Sequence, residues 1–249
     1  MSHALAQLMG DFADKPHNLL YVHGFNVGFD AAVLQAAYFG VDLKVPGATF
    51  LFSWPSAGSV REYMADEASI EASLRPLEEF VATILKNTAE IPLSIIVHSM
   101  GSRVIIRYLD LIAREQATFA RGRIRNVMLA APDVDVDEFK HSATRFAFVA
   151  QRTTMYATRA DLALATSAWL HGYHRAGLAP PVTAVAGMDT IVVEGFNLLD
   201  LGHSYYAEAS SVLHDMFNLF HYGSEPIKRP GVISAETAAG QKFWRLSVR

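Results

Sequence analysis

The stretch Leu93-Ser94-Ile95-Ile96-Val97-His98-Ser99-Met100-Gly101-Ser102 decides the reading of this chain. An apolar, β-branched run stops at a serine, a glycine follows two residues later, and a helical pattern begins at once. That order describes a buried strand, a sharp turn that presents Ser99, and a helix whose N-terminus lies beneath it. Gly101 removes a side chain where the turn must pass close to the strand. The helix N-terminus brings backbone N–H groups and partial positive charge to a place where negative charge could develop. The commoner pattern for such a turn carries a glycine two residues before the serine; here that position is Val97.

Outward from this turn, short apolar strands alternate with longer helical patterns. Leu19–Val22 leads into His23-Gly24-Phe25-Asn26, Thr49–Ser53 into Trp54-Pro55-Ser56, and Val127–Ala131 into Pro132-Asp133. Thr153–Ala157 leads into Thr158-Arg159-Ala160-Asp161, and Thr190–Val193 into Glu194-Gly195-Phe196. Near-continuous apolar strands imply burial on both faces, as in a parallel sheet covered by helices. Three stripes carry the helical period: Val104, Ile105, Tyr108, Leu111 and Ile112; Ile70, Leu74, Leu77, Val81 and Ile84; and Val212, Leu213, Met216, Phe217 and Phe220. Pro76 starts or kinks the second of these helices. The pattern predicts a doubly wound α/β domain of six or more mostly parallel strands, with helices on both faces and no large cap domain. Ligands are expected at the carboxyl ends of its strands.

A single domain is expected over 1–249, with its core at about 18–220. Leu5, Leu8, Met9 and Phe12 predict a short N-terminal helix within 1–17. Residues 224–249, punctuated by Pro226, Pro230 and Gly231, read as a late edge strand, a dimer contact or, the favoured reading, a C-terminal arm on the same domain.

Half the chain is hydrophobic (51%), only 18% is charged, and the formal net charge is -4, which argues against disorder and against a nucleic-acid partner. The chain has no cysteine, which excludes disulfides and thiolate chemistry. No run approaches a membrane span and the first ten residues lack the marks of a signal peptide, so a cytoplasmic location is expected. No glycine-rich phosphate loop is present, which sets aside a nucleotide-binding reading. Neither a metal nor an organic cofactor is implied.

A serine hydroxyl needs a base to take its proton, and the base needs an acid to hold its tautomer. Both should sit on loops past strand tips, after the serine in sequence. Two acids qualify: Asp133, and Asp161 one strand later, which is favoured although it also reads as the N-cap of a helix. Among the later histidines, His171 and His174 come too soon, and His214 and His221 read as surface positions of the last helix. His203, in the loop Asp200–Tyr206, is the favoured base. The oxyanion donors are expected to be the amides of Met100 and Phe25, with Asn26 second to Phe25. His98 is expected to pack inside without a catalytic role. Phe25, Trp54, Tyr205 and Tyr206 suggest an aromatic-lined substrate cleft, partly covered by Trp54–Tyr63.

Taken in order, Val22–Asn26, Phe52–Ser56, His98–Gly101, Ala131–Asp133, Tyr156–Leu164 and Gly202–Tyr205 resemble the α/β-hydrolase superfamily. They are most similar to a bacterial group known as a domain of unknown function. The resemblance implies an esterase- or lipase-like serine hydrolase with the triad Ser99, Asp161 and His203, acting on small-molecule or polymeric esters. In that group the turn commonly lacks its first glycine, as it does at Val97. Thioesters and amides would use the same machinery, and a non-catalytic binding module on the same fold is the alternative.

Overall fold

The computed structural model describes residues 16–88, 90–115, 120, 122–159, 173–194 and 207–247. The expected N-terminal helix therefore lies outside the described residues, as do Asp161, His171, His203, Tyr205 and Tyr206.

Among the described residues eight strands form one sheet in the order β2-β1-β3-β4-β5-β6-β8-β7. They are β1 (Asn18–Val22), β2 (Thr49–Phe52), β3 (Leu93–His98), β4 (Ile124–Ala130), β5 (Ala150–Thr158), β6 (Asp189–Glu194), β7 (Val232–Glu236) and β8 (Lys242–Ser247). Every neighbouring pair is parallel except β7 with β8. The expected α/β-hydrolase-type sheet is thus present, with two further strands.

Among the described residues six α-helices flank it: α1 (Phe29–Asp42), α2 (Tyr63–Ala72), α3 (Leu74–Asn87), α4 (Ser102–Arg114), α5 (Val136–Ala143) and α6 (Ala207–Tyr222). Side chains alternate along each strand, so each strand feeds two cores. Leu20 and Val22 of β1 join Val97 of β3 and Leu129 of β4 against α2 to α5. Leu19 and Tyr21 join Ile96, Met128 and Tyr156 against α1 and α6. Both faces of the central strands are dry, which is why they read as unbroken apolar runs. Ser73 divides α2 from α3, and Pro76 lies in the first turn of α3, where its missing N–H breaks no helical bond.

The C-terminal residues differ from the favoured arm. β8 pairs in parallel with β6, setting Trp244 against Ile191 and Leu246 against Val193. β7 folds back antiparallel on its outer side. Trp244 and Leu246, read as an alternating pattern, point into the α1/α6 core.

The chain runs from β1 to β2 on one side, then returns to β3 on the other side of β1. Loops leaving β1 and β3 must part there, which opens a crevice at the carboxyl ends of these two strands. Val22 lies opposite Val97. Continuing that register two residues brings Gly24 level with Ser99.

Candidate active site

Ser99 is 4% exposed and has φ 47°, a left-handed conformation that a non-glycine residue rarely adopts. Such a backbone costs on the order of 1–3 kcal/mol and persists only where the surroundings enforce it. The enforcement is visible on both sides. β3 ends at His98, a single 3-10 turn covers Ser99–Gly101, and α4 starts at Ser102, leaving no residue to relax the corner. A Cβ on Gly101 would lie 2.4 Å from His23 O, so the corner is pressed against the tip of β1. A Cβ on Gly24 would lie 3.1 Å from Ser99 Cβ and 2.7 Å from His98 Nδ1. The β1 loop and the serine turn are therefore in direct backbone contact, as the two glycines led us to expect.

The β1 loop is held by side chains. His23 is fully buried and stacks on Trp54, with ring centroids 5.1 Å apart. Its Nδ1 lies 2.9 Å from Gly24 O and its Nε2 3.2 Å from Ser53 Oγ. A carbonyl only accepts, so Nδ1 carries the proton and Nε2 accepts from the serine hydroxyl. Burial drives the His23 pKa below its usual value, although the bond to Gly24 O opposes this, and the ring is neutral at pH 7. The Gly24–Phe25 peptide is trans, and in a trans peptide the C=O and N–H point in opposite directions. Holding Gly24 O toward His23 turns the Phe25 N–H away from the imidazole. His23 thus fixes the orientation of the Gly24–Phe25 peptide, which the sequence showed only as part of a turn.

Trp54 donates from Nε1 to His23 O at 2.9 Å and is 2% exposed. Expected to line a cleft, it instead backs the β1 loop from beneath, because its one polar atom and one ring face are both committed to His23. Phe25 is half-buried and meets Tyr63 edge-on at 5.0 Å. Met100 is fully buried within the α2–α5 core. His98 is 6% exposed and lies against Gly24.

Asp133, the other candidate acid, is 2% exposed at the tip of β4. Its carboxylate accepts from Tyr63 Oη at 2.6 Å and faces Arg103 Nη2 at 3.6 Å and Arg175 Nε at 3.3 Å. Arg103 also donates from Nε to Asp133 O and pairs with Glu67. The Asp133 N–H donates to Ser99 O at 3.2 Å. Asp133 therefore cross-braces α2, α4 and residues 174–178 around the serine turn. Arg103 lies beside the buried stripe of α4 and turns inward to Asp133 and Glu67.

His214 is exposed, as expected. His221 is not: it is 5% exposed, with Nε2 2.6 Å from Leu43 O. The end of α6 packs against the residue that caps α1, and this covers a histidine that helical spacing had placed at the surface.

A mostly parallel sheet with helices on both faces, a switch point between β1 and β3, and a left-handed serine at the strand-to-helix corner define an α/β hydrolase fold. The model of the family described as "Alpha/beta hydrolase of unknown function (DUF900)" matches residues 4–219, and the chain belongs to that family. Among solved structures, a protein described as a "putative cell surface hydrolase" from Lactobacillus plantarum WCFS1 is 11% identical, with TM-score 0.50 over 86% of this chain and 95% of that one. A predicted CIB-like hydrolase from Thermoplasma acidophilum is 13% identical, with TM-score 0.48 over 82% and 86%. The RedJ thioesterase of the prodiginine biosynthetic pathway in Streptomyces coelicolor is 13% identical, with TM-score 0.47 over 88% and 96%. At these identities the first of the three shows a shared fold. No curated protein matches the sequence. None of the helices among the described residues is long and apolar enough to cross a membrane.

Proposed function

We propose that this chain is a serine hydrolase that cleaves carboxylic esters through an acyl-enzyme on Ser99. The observation that carries the reading is the left-handed Ser99 at the β3–α4 corner, level with Gly24 across the switch-point crevice. Backbone strain at a polar residue, maintained by two close glycine contacts, is what presenting a nucleophile requires.

In this mechanism Ser99 Oγ attacks the ester carbonyl while His203 takes its proton. The oxyanion is held by the amides of Met100 and Phe25, the latter oriented through His23. His203 returns the proton to the leaving alcohol, and water then releases the acid by the same steps. Asp161 orients the imidazole. Chain position supports both partners: β5 ends at Thr158, three residues before Asp161, and His203 lies between the end of β6 at Glu194 and the start of α6 at Ala207. That Asp133 already serves Tyr63, Arg103 and Arg175 supports the choice of Asp161 as the acid. Tyr205 and Phe25 are proposed to contact substrate, a small-molecule or polymeric ester of carboxylesterase or lipase type.

A fluorophosphonate probe tests the reading. Stoichiometric labelling, mapped by peptide mass spectrometry to Ser99 and abolished in Ser99→Ala, is expected. No labelling, or labelling elsewhere, would overturn it.

A further inference from the structure

The amides of Phe25 and Met100 lie on different segments, the first on the loop after β1 and the second at the serine corner. A long stretch of chain separates them, so their spacing must be set by contacts across the site. The close approach of Gly24 to Ser99 presses the two strand tips together. His23 then fixes which way the Gly24–Phe25 peptide faces. Neither contact holds the Phe25 side chain, one residue further along the loop.

Tyr63, the first residue of α2, reaches both segments. Its ring meets the Phe25 ring edge-on, with centroids 5.0 Å apart and planes at 65°. Its hydroxyl donates to Asp133 Oδ2 at 2.6 Å and accepts from Arg103 Nη2 at 3.1 Å. Both partners belong to the serine corner. The Asp133 N–H donates to Ser99 O at 3.2 Å, and Arg103 lies in the first turn of α4, with Nε donating to Asp133 O at 2.9 Å. A continuous line of contacts therefore runs from Phe25 through Tyr63 and Asp133 to Ser99. Tyrosine suits the middle of that line, since it joins an apolar ring to a polar tip. A short hydroxyl-to-carboxylate bond is also among the stronger kinds.

α2 is itself anchored. Asp66, 1% exposed, accepts from Ser56 Oγ and from the Ala57 N–H, both at 2.7 Å, and Glu67 pairs with Arg103. Tyr63, Asp66 and Glu67 stand three and four residues apart, on one face of the helix. That face cannot shift without breaking bonds to the β2 loop, the β4 loop and α4 together.

We propose that Tyr63 is a positioning residue that sets the spacing of the oxyanion donors, holding the Phe25 loop at a fixed distance from the serine corner. The proposal rests on the reading of Ser99 as nucleophile with the amides of Phe25 and Met100 as donors. Tyr63 acts through Phe25, so its loss is felt where charge develops on the carbonyl oxygen, in kcat rather than in ground-state binding.

Tyr63→Phe keeps the ring against Phe25 and removes only the hydroxyl. With p-nitrophenyl butyrate, kcat is expected to fall about tenfold while KM stays within about twofold of the wild type. An alkyl trifluoromethyl ketone reads the donors directly: Ser99 Oγ adds to its carbonyl carbon, the proton passes to His203, and the carbonyl oxygen becomes the held anion. Its inhibition constant is expected to rise by about the same factor as kcat falls. Phe25→Ala keeps the backbone amide but breaks the line at its other end. Its kcat is expected to fall at least as far, and Tyr63→Phe to add little in that background. Circular dichroism and melting curves establish that each variant is folded at the assay temperature.

An unchanged kcat in Tyr63→Phe, even with a lower melting temperature, marks a merely structural brace and overturns the proposal. So does a double variant whose loss in kcat is the product of the two single losses. Wild-type turnover that Ser99→Ala abolishes separates these outcomes from failure of the hydrolase reading; a wild type inert toward esters overturns both.

Discussion

Replacing Gly101 with alanine isolates the contact that forces Ser99 into its conformation. The new methyl would sit 2.4 Å from His23 O, 3.1 Å from Val22 Cγ1 and 3.2 Å from Val97 Cγ2. The first is a backbone atom that no rotamer change can move, so the tips of β1 and β3 must part by at least about 0.6 Å to reach tolerable contact. Overpacking of this kind costs about 1–3 kcal/mol, or about 2 to 10 °C in melting temperature for a chain of this length. The same shift moves the serine corner relative to the Phe25 amide, and errors approaching an ångström in such geometry cost on the order of 10- to 100-fold in kcat. Gly28→Ala is the steric control: φ is -74° and nothing lies within 4 Å of the added Cβ, so the loss is confined to alanine's poorer capping of α1, about 1 kcal/mol or less, with kcat unchanged. Differential scanning calorimetry reads the first effect and ester hydrolysis the second. If Gly101→Ala melts with the wild type, the serine corner is not pressed against β1 and the reasoning fails.

Further outcomes rest on the same geometry. Asp133→Asn keeps the shape but leaves Arg103 and Arg175 without their shared buried anion; a loss of about 3 kcal/mol is expected in urea unfolding. Glu79→Gln, in the exposed pair with Arg75, should show no measurable change. His23→Asn should lower kcat about 10- to 100-fold with little change in KM, because a donor aimed at the oxyanion acts in the transition state; a raised KM at constant kcat would contradict its positioning role. Acid should destabilise the fold. Burial lowers the pKa of His17 to about 3, with Arg125 and His221 adding to the effect, and burial lowers those of His23 and His221 as well. Between about pH 6.5 and pH 3 the unfolded chain binds protons that the folded His17 refuses, so stability rises with pH across that window. His17 alone contributes a slope that grows below about pH 6.5 toward a limit of about 1.4 kcal/mol per pH unit, so unfolding free energies should fall from pH 7 to 4.5, most steeply at the acid end. A flat profile would show that these rings are not held neutral.

The strand tips were legible because each strand announces itself twice, as an apolar run and as the glycine, proline or aspartate that ends it. Gly24 and Gly101 were legible because a glycine just past an apolar strand marks a place where backbone must pass close to backbone. What escaped was non-local. Trp244 and Leu246 gave the alternation of a strand, yet nothing nearby in sequence says that β8 inserts between β6 and β7. α1 gave no stripe because apolar residues also lie on its exposed side, at Val33, Leu34 and Val41, and periodicity needs a contrast to be seen. His221 was placed by helical spacing alone, which cannot foresee that Leu43 arrives from elsewhere to cover it. The cross-brace around Asp133 gathers Tyr63, Arg103 and Arg175 from three separate segments, and no motif links them.

The most direct test of the central claim is hydrolysis of p-nitrophenyl acetate, butyrate and octanoate by the wild type, Ser99→Ala and His203→Ala. The account predicts turnover by the wild type and a loss of about three or more orders of magnitude in kcat/KM for each variant, with both folded by circular dichroism. Turnover that survives Ser99→Ala, or a wild type inert toward every ester, would contradict it.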